Sequence, residues 1–301
     1  MMKDTMERRH FLALIAVAPM AMQSALRSSR KRNTDKQATT RYIFSQAMRQ
    51  ASTEQWNRKP IGELMGQFAM LFQGTPYVGG TLEGDGPEVC RIDLTGLDCV
   101  TFFENVLDMS RIVKKGRYTF PDLQHEVTFT RYRGGQLGDY TSRLHYTAEW
   151  IEDNVAKHVV KDMSRELGGV IFPLDVNFMS RNPKYYAPLK NDSILVEKME
   201  TIETAINGQV RYYIPKDRID VIEPQLQTGD IVAITTNKEG LDYAHTGMIH
   251  RTADGVAHLL HASSQKKQVV LDVSVSEYVN GVKSHTGISI LRPLEPLLNE
   301  R

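Results

Sequence analysis

Hydrolytic chemistry needs a nucleophile and a base, and one cysteine and two histidines of this chain are spaced to supply them. There are two cysteines, Cys90 and Cys99, and nine histidines. Cys99 has the more telling setting, Gly96-Leu97-Asp98-Cys99-Val100-Thr101-Phe102-Phe103-Glu104-Asn105-Val106-Leu107, which reads as a turn running into a helix. Gly96 suits the turn and Asp98 suits the cap. Val100, Phe103, Val106 and Leu107 then fall on one helical face. Cys99 is thereby placed in the first turn, where free N–H groups and the helix dipole favour an anion. A free thiol titrates near ~8.5, and a helix N-terminus with a histidine partner lowers that value. The same position also suits a structural cysteine, because a free thiol packs as a small hydrophobe. This stretch alone leaves both readings open.

The histidines lie far downstream, in Ala244-His245-Thr246-Gly247-Met248-Ile249-His250-Arg251 and Val256-Ala257-His258-Leu259-Leu260-His261-Ala262-Ser263. Asp254-Gly255 between them marks a β-hairpin. A two-residue loop would put His245 and His261 on opposite faces. A three-residue loop, Ala253-Asp254-Gly255 with Gly255 left-handed, pairs Gly247 with His261 and His245 with Ser263. The two histidines then share a face as diagonal neighbours, with glycine leaving room for an imidazole. The three-residue register is the one expected here. His245 then acts as base for Cys99, and His261 orients His245. His250 and His258 fall opposite each other on the other face, as packing or surface residues.

A metal site is the rival reading of so many histidines. His258-x-x-His261 would chelate on a helix, but on a strand its two side chains point to opposite faces. The chain has no Cys-x-x-Cys and no His-Glu-x-x-His. No metal and no organic cofactor is expected. A third concentration of chemistry is Arg131-Tyr132-Arg133-Gly134-Gly135 together with Ser142-Arg143-Leu144-His145-Tyr146. Three arginines, two tyrosines and a histidine so close together read either as a pocket for an anionic or sugar-bearing ligand or as a solvated loop with cationic edges.

The elements that must hold these residues follow helices first, strands after. Helices are expected over Tyr42–Gln55, Ile61–Phe72, Cys99–Val113, Pro121–Phe129, His145–Ile151 and Asp192–Asn207. Strands are expected over Val210–Ile214, Asp230–Thr235, Ala244–Arg251, Val256–Ala262, Gln268–Asp272 and Gly287–Arg292, with a short helix over Ser274–Asn280. This order is α+β. With 301 residues, 41% apolar and 24% charged, the chain has ample core material. Its net charge of +1 and lack of a long basic tract do not point to nucleic acid. At the start, Arg8-Arg9-His10-Phe11-Leu12 precedes an apolar run from Ala13 to Met22. The run is short for a bilayer span. Paired arginines before it resemble a twin-arginine export signal, with a plain secretory signal as the close alternative. The expected division is an export signal over 1–26, a polar linker over 27–40, and one catalytic domain over 41–301.

Pro76-Tyr77-Val78-Gly79-Gly80, Leu97-Asp98-Cys99-Val100-Thr101-Phe102, Gly229-Asp230, His245-Thr246-Gly247 and His261-Ala262-Ser263 occur in that order. In this the chain resembles the NlpC-type cell-wall cysteine peptidases and amidases. Together with the Arg/Tyr segments, it is similar to the subfamily of larger muropeptide amidases long catalogued as a domain of unknown function. The resemblance implies a papain-like α+β fold, with the cysteine helix packed on a small antiparallel sheet and a large insertion at about 130–208. It implies cleavage of the amide between N-acetylmuramic acid, in its 1,6-anhydro form by preference, and L-alanine. Cys99 is then the nucleophile, His245 the base and His261 the orienting residue. Tyr77 is implied as a polar contact near the thiol, and Asp98, Glu83, Arg133, Arg143 and His145 as oxyanion or ligand contacts.

The partners implied are muropeptides or peptidoglycan fragments, met in the periplasm or another exported location, with no stable membrane span once the signal is removed. The same triad also suits a stem-peptide endopeptidase acting between D-Glu and diaminopimelate. A non-catalytic muropeptide-binding module and a zinc protein are the alternatives of other classes. Whether Cys90 pairs with Cys99 stays open at this level.

Overall fold

The computed structural model describes residues 34–297, so the expected export signal at 1–26 lies outside the described residues. The expected linker does not extend to residue 40. A helix, α1, occupies residues 34–53. Thr40, Phe44, Ala47, Met48 and Ala51 recur at helical spacing, and all are buried. The Thr40 hydroxyl accepts the Leu94 N–H at 3.1 Å. Polar and charged residues between these positions make the stretch look like a linker, whereas they form the wet face of an amphipathic helix.

Helix α2 (Ile61–Leu71) starts after Pro60 and buries Leu64, Met65, Phe68 and Ala69. Helix α3 (Cys99–Lys114) is buried without interruption from Thr101 to Val113. A helix buried all round that carries charge must find partners for it. Helix α4 (Phe120–Arg131) supplies them. Arg131 Nε lies 2.9 Å from Glu104 Oε2, and Arg111 Nε lies 2.6 Å from Glu126 Oε1. Lys115 adds a 2.9 Å bond to Glu126. These pairs lock α4 onto α3 and so hold the far end of the cysteine helix in place.

The remaining elements are α5 (Thr147–Ala156), β1 (Val160–Asp162), β2 (Val170–Ile171), α6 (Phe178–Arg181), α7 (Ser193–Asn207), β3 (Tyr212–Pro215), α8 (Ile219–Ile222), β4 (Ile231–Thr236), β5 (Tyr243–Arg251), β6 (Ala257–Ser263), β7 (Gln268–Ser274), α9 (Val275–Asn280) and β8 (His285–Pro293). The strands form one sheet in the order β2-β3-β8-β4-β5-β6-β7, with β1 also paired to β8. Every pairing is antiparallel. The α+β expectation therefore holds. One face of the sheet, with Met248, Leu260 and Ala262, joins the core built by α1 to α3. The other face, with Ile249, Leu259 and Ile290, packs under α8 and α9.

The inserted segment is more integrated than expected. It contributes β1 and β2 to the same sheet, on β8 and β3 respectively. Strands of three and two residues carry too little alternation to be read from a sequence. Asp242, just ahead of β5, accepts the Ala148 N–H of α5 at 2.7 Å, which ties the insertion to the histidine strand.

Candidate functional site

The first turn of α3 is set by a capping box. Asp98 Oδ1 accepts the Thr101 N–H at 2.8 Å, and Thr101 Oγ1 accepts the Asp98 N–H at 2.9 Å. Cys99 is therefore the first helical residue. The chain enters this turn beside the tyrosine segment: Leu97 N–H donates to Pro76 O and Val78 N–H donates to Leu97 O, each at 3.0 Å. A side chain at Gly96 would put its Cβ 2.4 Å from Val78 Cγ2. Gly96 serves this close approach rather than a left-handed turn.

The hairpin has the three-residue loop. Thr252 N–H donates to Val256 O, and Gly255 has φ +84°. His250 pairs with His258, and Met248 with Leu260. An added Cβ on Gly247 would lie 3.0 Å from His261 Cβ, so the glycine does leave space for this residue. His245 Nε2 and His261 Nδ1 are 2.6 Å apart. Thr246, the residue after His245, donates its hydroxyl to the Cys99 carbonyl at 2.8 Å. This bond joins the first turn of α3 to β5 beside the histidine pair.

Two further residues belong to the constellation and were not singled out in the sequence. Asp272 Oδ2 on β7 lies 3.3 Å from His261 Nε2. The Tyr278 ring on α9 lies 4.9 Å from the His261 ring and 6.0 Å from the His245 ring. Asp272 occupies an exposed-looking position in a strand, and Tyr278 reads as part of a short amphipathic helix. Neither carries a motif that sequence reasoning can use.

The electrostatics differ from the expectation of a lowered thiol. Burial, and after it the neighbouring Asp98 carboxylate, pushes the Cys99 thiol up to about 11. The residue that caps the helix occupies the anion-favouring N–H group and sets its own charge beside the sulfur. Burial, reinforced by His261 and His285, pushes His245 down to about 3. His261 is lowered as well, chiefly by burial. At rest the thiol and both imidazoles are neutral. Burial, then Cys99 and Asp98, raise the Tyr77 phenol, which puts its hydroxyl within electrostatic reach of the sulfur. Both cysteines are free; Cys90 Sγ faces Gln124 O at 3.8 Å.

The Arg/Tyr segments are mostly packed inward, around an exposed loop at 136–139. Arg131, Tyr132, Arg143 and Tyr146 are buried. Arg143 Nη2 pairs with Glu83 at 2.6 Å, and its Nε lies 3.6 Å from Glu88. Arg133 Nε donates to Glu149 at 2.7 Å and its Nη1 to Thr141 O at 2.9 Å. His145 Nε2 lies 2.8 Å from Tyr140 O, and burial followed by Arg143 pushes it down to about 3. Arg133, Arg143 and His145 thus each have a partner within the protein, although Arg133 and the Glu83 partner of Arg143 stay partly exposed. Burial is what the sequence could not show. Glu83 also lines a cleft of about 630 Å³ with Lys36, Arg41, Gly79, Asp85 and Arg91. Among the described residues no group of three or more His, Cys, Asp or Glu is placed to hold a metal ion. None of the described helices is long and apolar enough to cross a membrane.

The model of a family described as AmiA-like, N-acetylmuramoyl-L-alanine amidase-like, matches residues 67–288, a span that takes in Tyr77, Cys99, both histidines and the insertion. The chain belongs to the AmiA-like family. A solved N-acetylmuramoyl-L-alanine amidase from Bacteroides uniformis is 36% identical, with a TM-score of 0.74, over 78% of this chain and 99% of that one. A Bacteroides fragilis protein named as a xylanase is also 36% identical, with a TM-score of 0.70, over 76% and 99%. A Legionella pneumophila protein at 20% identity shares the fold, with a TM-score of 0.67 over 87% and 96%. No curated protein sequence matches the chain. Family and structural neighbours together support a peptidoglycan amidase.

Proposed function

We propose that this AmiA-like protein hydrolyses the amide between N-acetylmuramic acid, preferentially its 1,6-anhydro form, and L-alanine in soluble peptidoglycan fragments, with Cys99 as nucleophile. One observation carries the reading. His245 on β5 lies 2.6 Å from His261 on β6, and the residue after it, Thr246, donates its hydroxyl to the Cys99 carbonyl. A helix-borne cysteine beside an antiparallel sheet that brings the histidines supports placing the fold with the papain-like NlpC-type enzymes. Arg8-Arg9 before an apolar run supports export to the compartment where the substrate lies.

The chemistry follows from the protonation states. A thiol held up near 11 and an imidazole held down near 3 do not form an ion pair at rest. The sulfur attacks the amide carbonyl as its proton passes to His245, so S–C bond formation and proton transfer are coupled. The new oxyanion is met by the Cys99 backbone N–H and the Tyr77 hydroxyl. The imidazolium then gives its proton to the departing L-alanine amine, and the C–N bond breaks to leave a thioester. Water, deprotonated by the same imidazole, opens the thioester and restores the thiol. No step in this scheme calls on a metal or an organic cofactor.

The test is product analysis after incubation with a mixed muropeptide pool, run beside Cys99→Ala. Free stem peptides beginning at L-alanine, absent with the variant, are the expected result. Shortened stems still attached to sugar would replace the amidase with the D-Glu/diaminopimelate endopeptidase. No Cys99-dependent product would leave a muropeptide-binding module.

A further inference from the structure

The His245–His261 pair continues beyond His261. Asp272 Oδ2 faces His261 Nε2 at 3.3 Å, and the second carboxylate oxygen is held from two sides. Lys266 Nζ lies 2.8 Å from Oδ1, and the Val273 N–H donates to the same oxygen at 2.9 Å. His261 itself is fully buried. We propose that Asp272, anchored by Lys266, is a positioning residue that dictates the tautomer of both histidines. The proposal rests on the amidase reading for its kinetic consequence and on geometry alone for its structural one.

A carboxylate can only accept, so His261 Nε2 carries the hydrogen that meets it. A neutral imidazole has one N–H, so His261 Nδ1 is then an acceptor. Its 2.6 Å partner, His245 Nε2, must donate. Neutral His245 has then spent its only hydrogen, and its Nδ1 presents a lone pair. In the proposed reaction that lone pair is the one left to take the thiol proton. Without Asp272, His261 is free to carry its hydrogen on Nδ1 and donate to His245 Nε2. His245 would then hold its hydrogen on Nδ1 and could not take another there as a neutral base. The orienting power attributed to His261 thus originates one residue further out.

The protonation states agree with this chain. Burial alone would raise the Asp272 carboxyl, but the bonds from Lys266, Val273 N–H and His261 outweigh it and keep it below the ordinary carboxylate value. Burial keeps His261 neutral, with Lys266 adding to the effect against the pull of Asp272. The other titratable groups facing the pair are Tyr278 from α9 and, toward His245, His285 from β8. Tyr278 cannot replace Asp272 in this role, because a phenol can donate as well as accept, and His285 exerts its influence on His245.

The experiment uses the full chain with 15N-labelled histidine, and the variants Asp272→Asn, Asp272→Glu and Lys266→Ala. In the wild type the nitrogen shifts should report His261 with its hydrogen on Nε2 and His245 likewise. Asp272→Asn can turn its NH2 toward His261, and should move that hydrogen to Nδ1 in both rings. On muropeptides its kcat should fall about 100-fold, the low end of what general acid–base catalysis supplies, with KM unchanged. Asp272→Glu should recover part of that loss. Lys266 is half exposed, so its replacement leaves the fold intact and covers the case of an unfolded Asn variant. Lys266→Ala releases Asp272 to protonate at higher pH, so the acid limb of the kcat profile should move upward. An Nε2–H on His261 that survives in Asp272→Asn overturns the proposal, as does an unmoved acid limb in Lys266→Ala. If the wild type cleaves no muropeptide the amidase reading fails by itself, while the nitrogen shifts still decide the role of Asp272.

Discussion

Gly247→Ala would press directly on the strand that carries His261. The added Cβ would lie 2.8 Å from Leu259 Cδ1, 3.0 Å from His261 Cβ and 3.2 Å from Leu260 O. Ordinary carbon–carbon contact is about 3.5–4.0 Å, so two contacts are short by roughly 0.5–1 Å. The leucine tip can rotate away. The histidine Cβ is fixed to a central strand and must move with its backbone. A shift of that size stretches the 2.6 Å His245–His261 bond to about 3.1–3.6 Å, at or past the end of the useful range. Overpacking of this kind costs about 1–3 kcal/mol. Replacing glycine in a strand returns roughly 0.5–1 kcal/mol through reduced freedom of the unfolded chain. A net loss of about 1–2 kcal/mol lowers Tm by about 2–8 °C for a domain of this size. Thermal denaturation and kcat on muropeptides should therefore fall together. A variant that loses Tm but keeps kcat would refute the dependence of catalysis on the histidine pair, and one that keeps both would refute the packing argument as well.

Alkylation of Cys99 by iodoacetamide should accelerate steadily from pH 6 to 9, because a thiol pushed up to about 11 gains thiolate throughout that range; a plateau beginning below pH 7 would mean a preformed ion pair. Asp98→Asn keeps the helix cap and removes the adjacent charge, so it should speed that alkylation at little cost in Tm, whereas Asp98→Ala should lose about 1 kcal/mol of stability in urea denaturation. Arg131→Ala leaves Glu104 buried without its partner and should cost about 3–5 kcal/mol by the same assay; a loss under about 1 kcal/mol would show that the pair is not desolvated as described. His145 and His245 are held near 3, below their unfolded value near ~6.5. The folded state therefore binds fewer protons, and its stability, complete above about pH 6.5, should decline as pH falls toward 3. A Tm that stays flat across that window would contradict the assignment of both as buried neutral rings.

The cysteine helix and the hairpin were legible in the sequence because each is specified locally. An Asp cap before an apolar period marks α3, and Asp254-Gly255 with the room left at Gly247 specifies the register that joins His245 and His261. What escaped was whatever depends on distant neighbours. The acidity of the Cys99 thiol is decided by burial under elements from elsewhere in the chain, and the capping charge works against the dipole that the sequence emphasises. Arg143 and Arg133 have the right types for ligand contacts, yet the partners that claim them, Glu83 and Glu149, are separated from them by 60 and 16 positions. Asp272 becomes significant only when β7 pairs beside β6. The start of α1 was hidden because its apolar face is sparse and its other residues are charged.

The position of β8 has a consequence for how the molecule comes into being. Among the described residues this strand comes last in sequence, but it lies between β3 and β4 in the sheet. While the chain is being synthesised, both of those strands present open edges until residues 285–293 have left the ribosome. Neither the histidine half nor the inserted half can close its own part of the sheet before then. The nascent protein should stay protease-sensitive and prone to edge-to-edge association until the final strand slots into the middle. A premature stop codon only slightly upstream of His285 would therefore remove the centre of the sheet rather than trim its border.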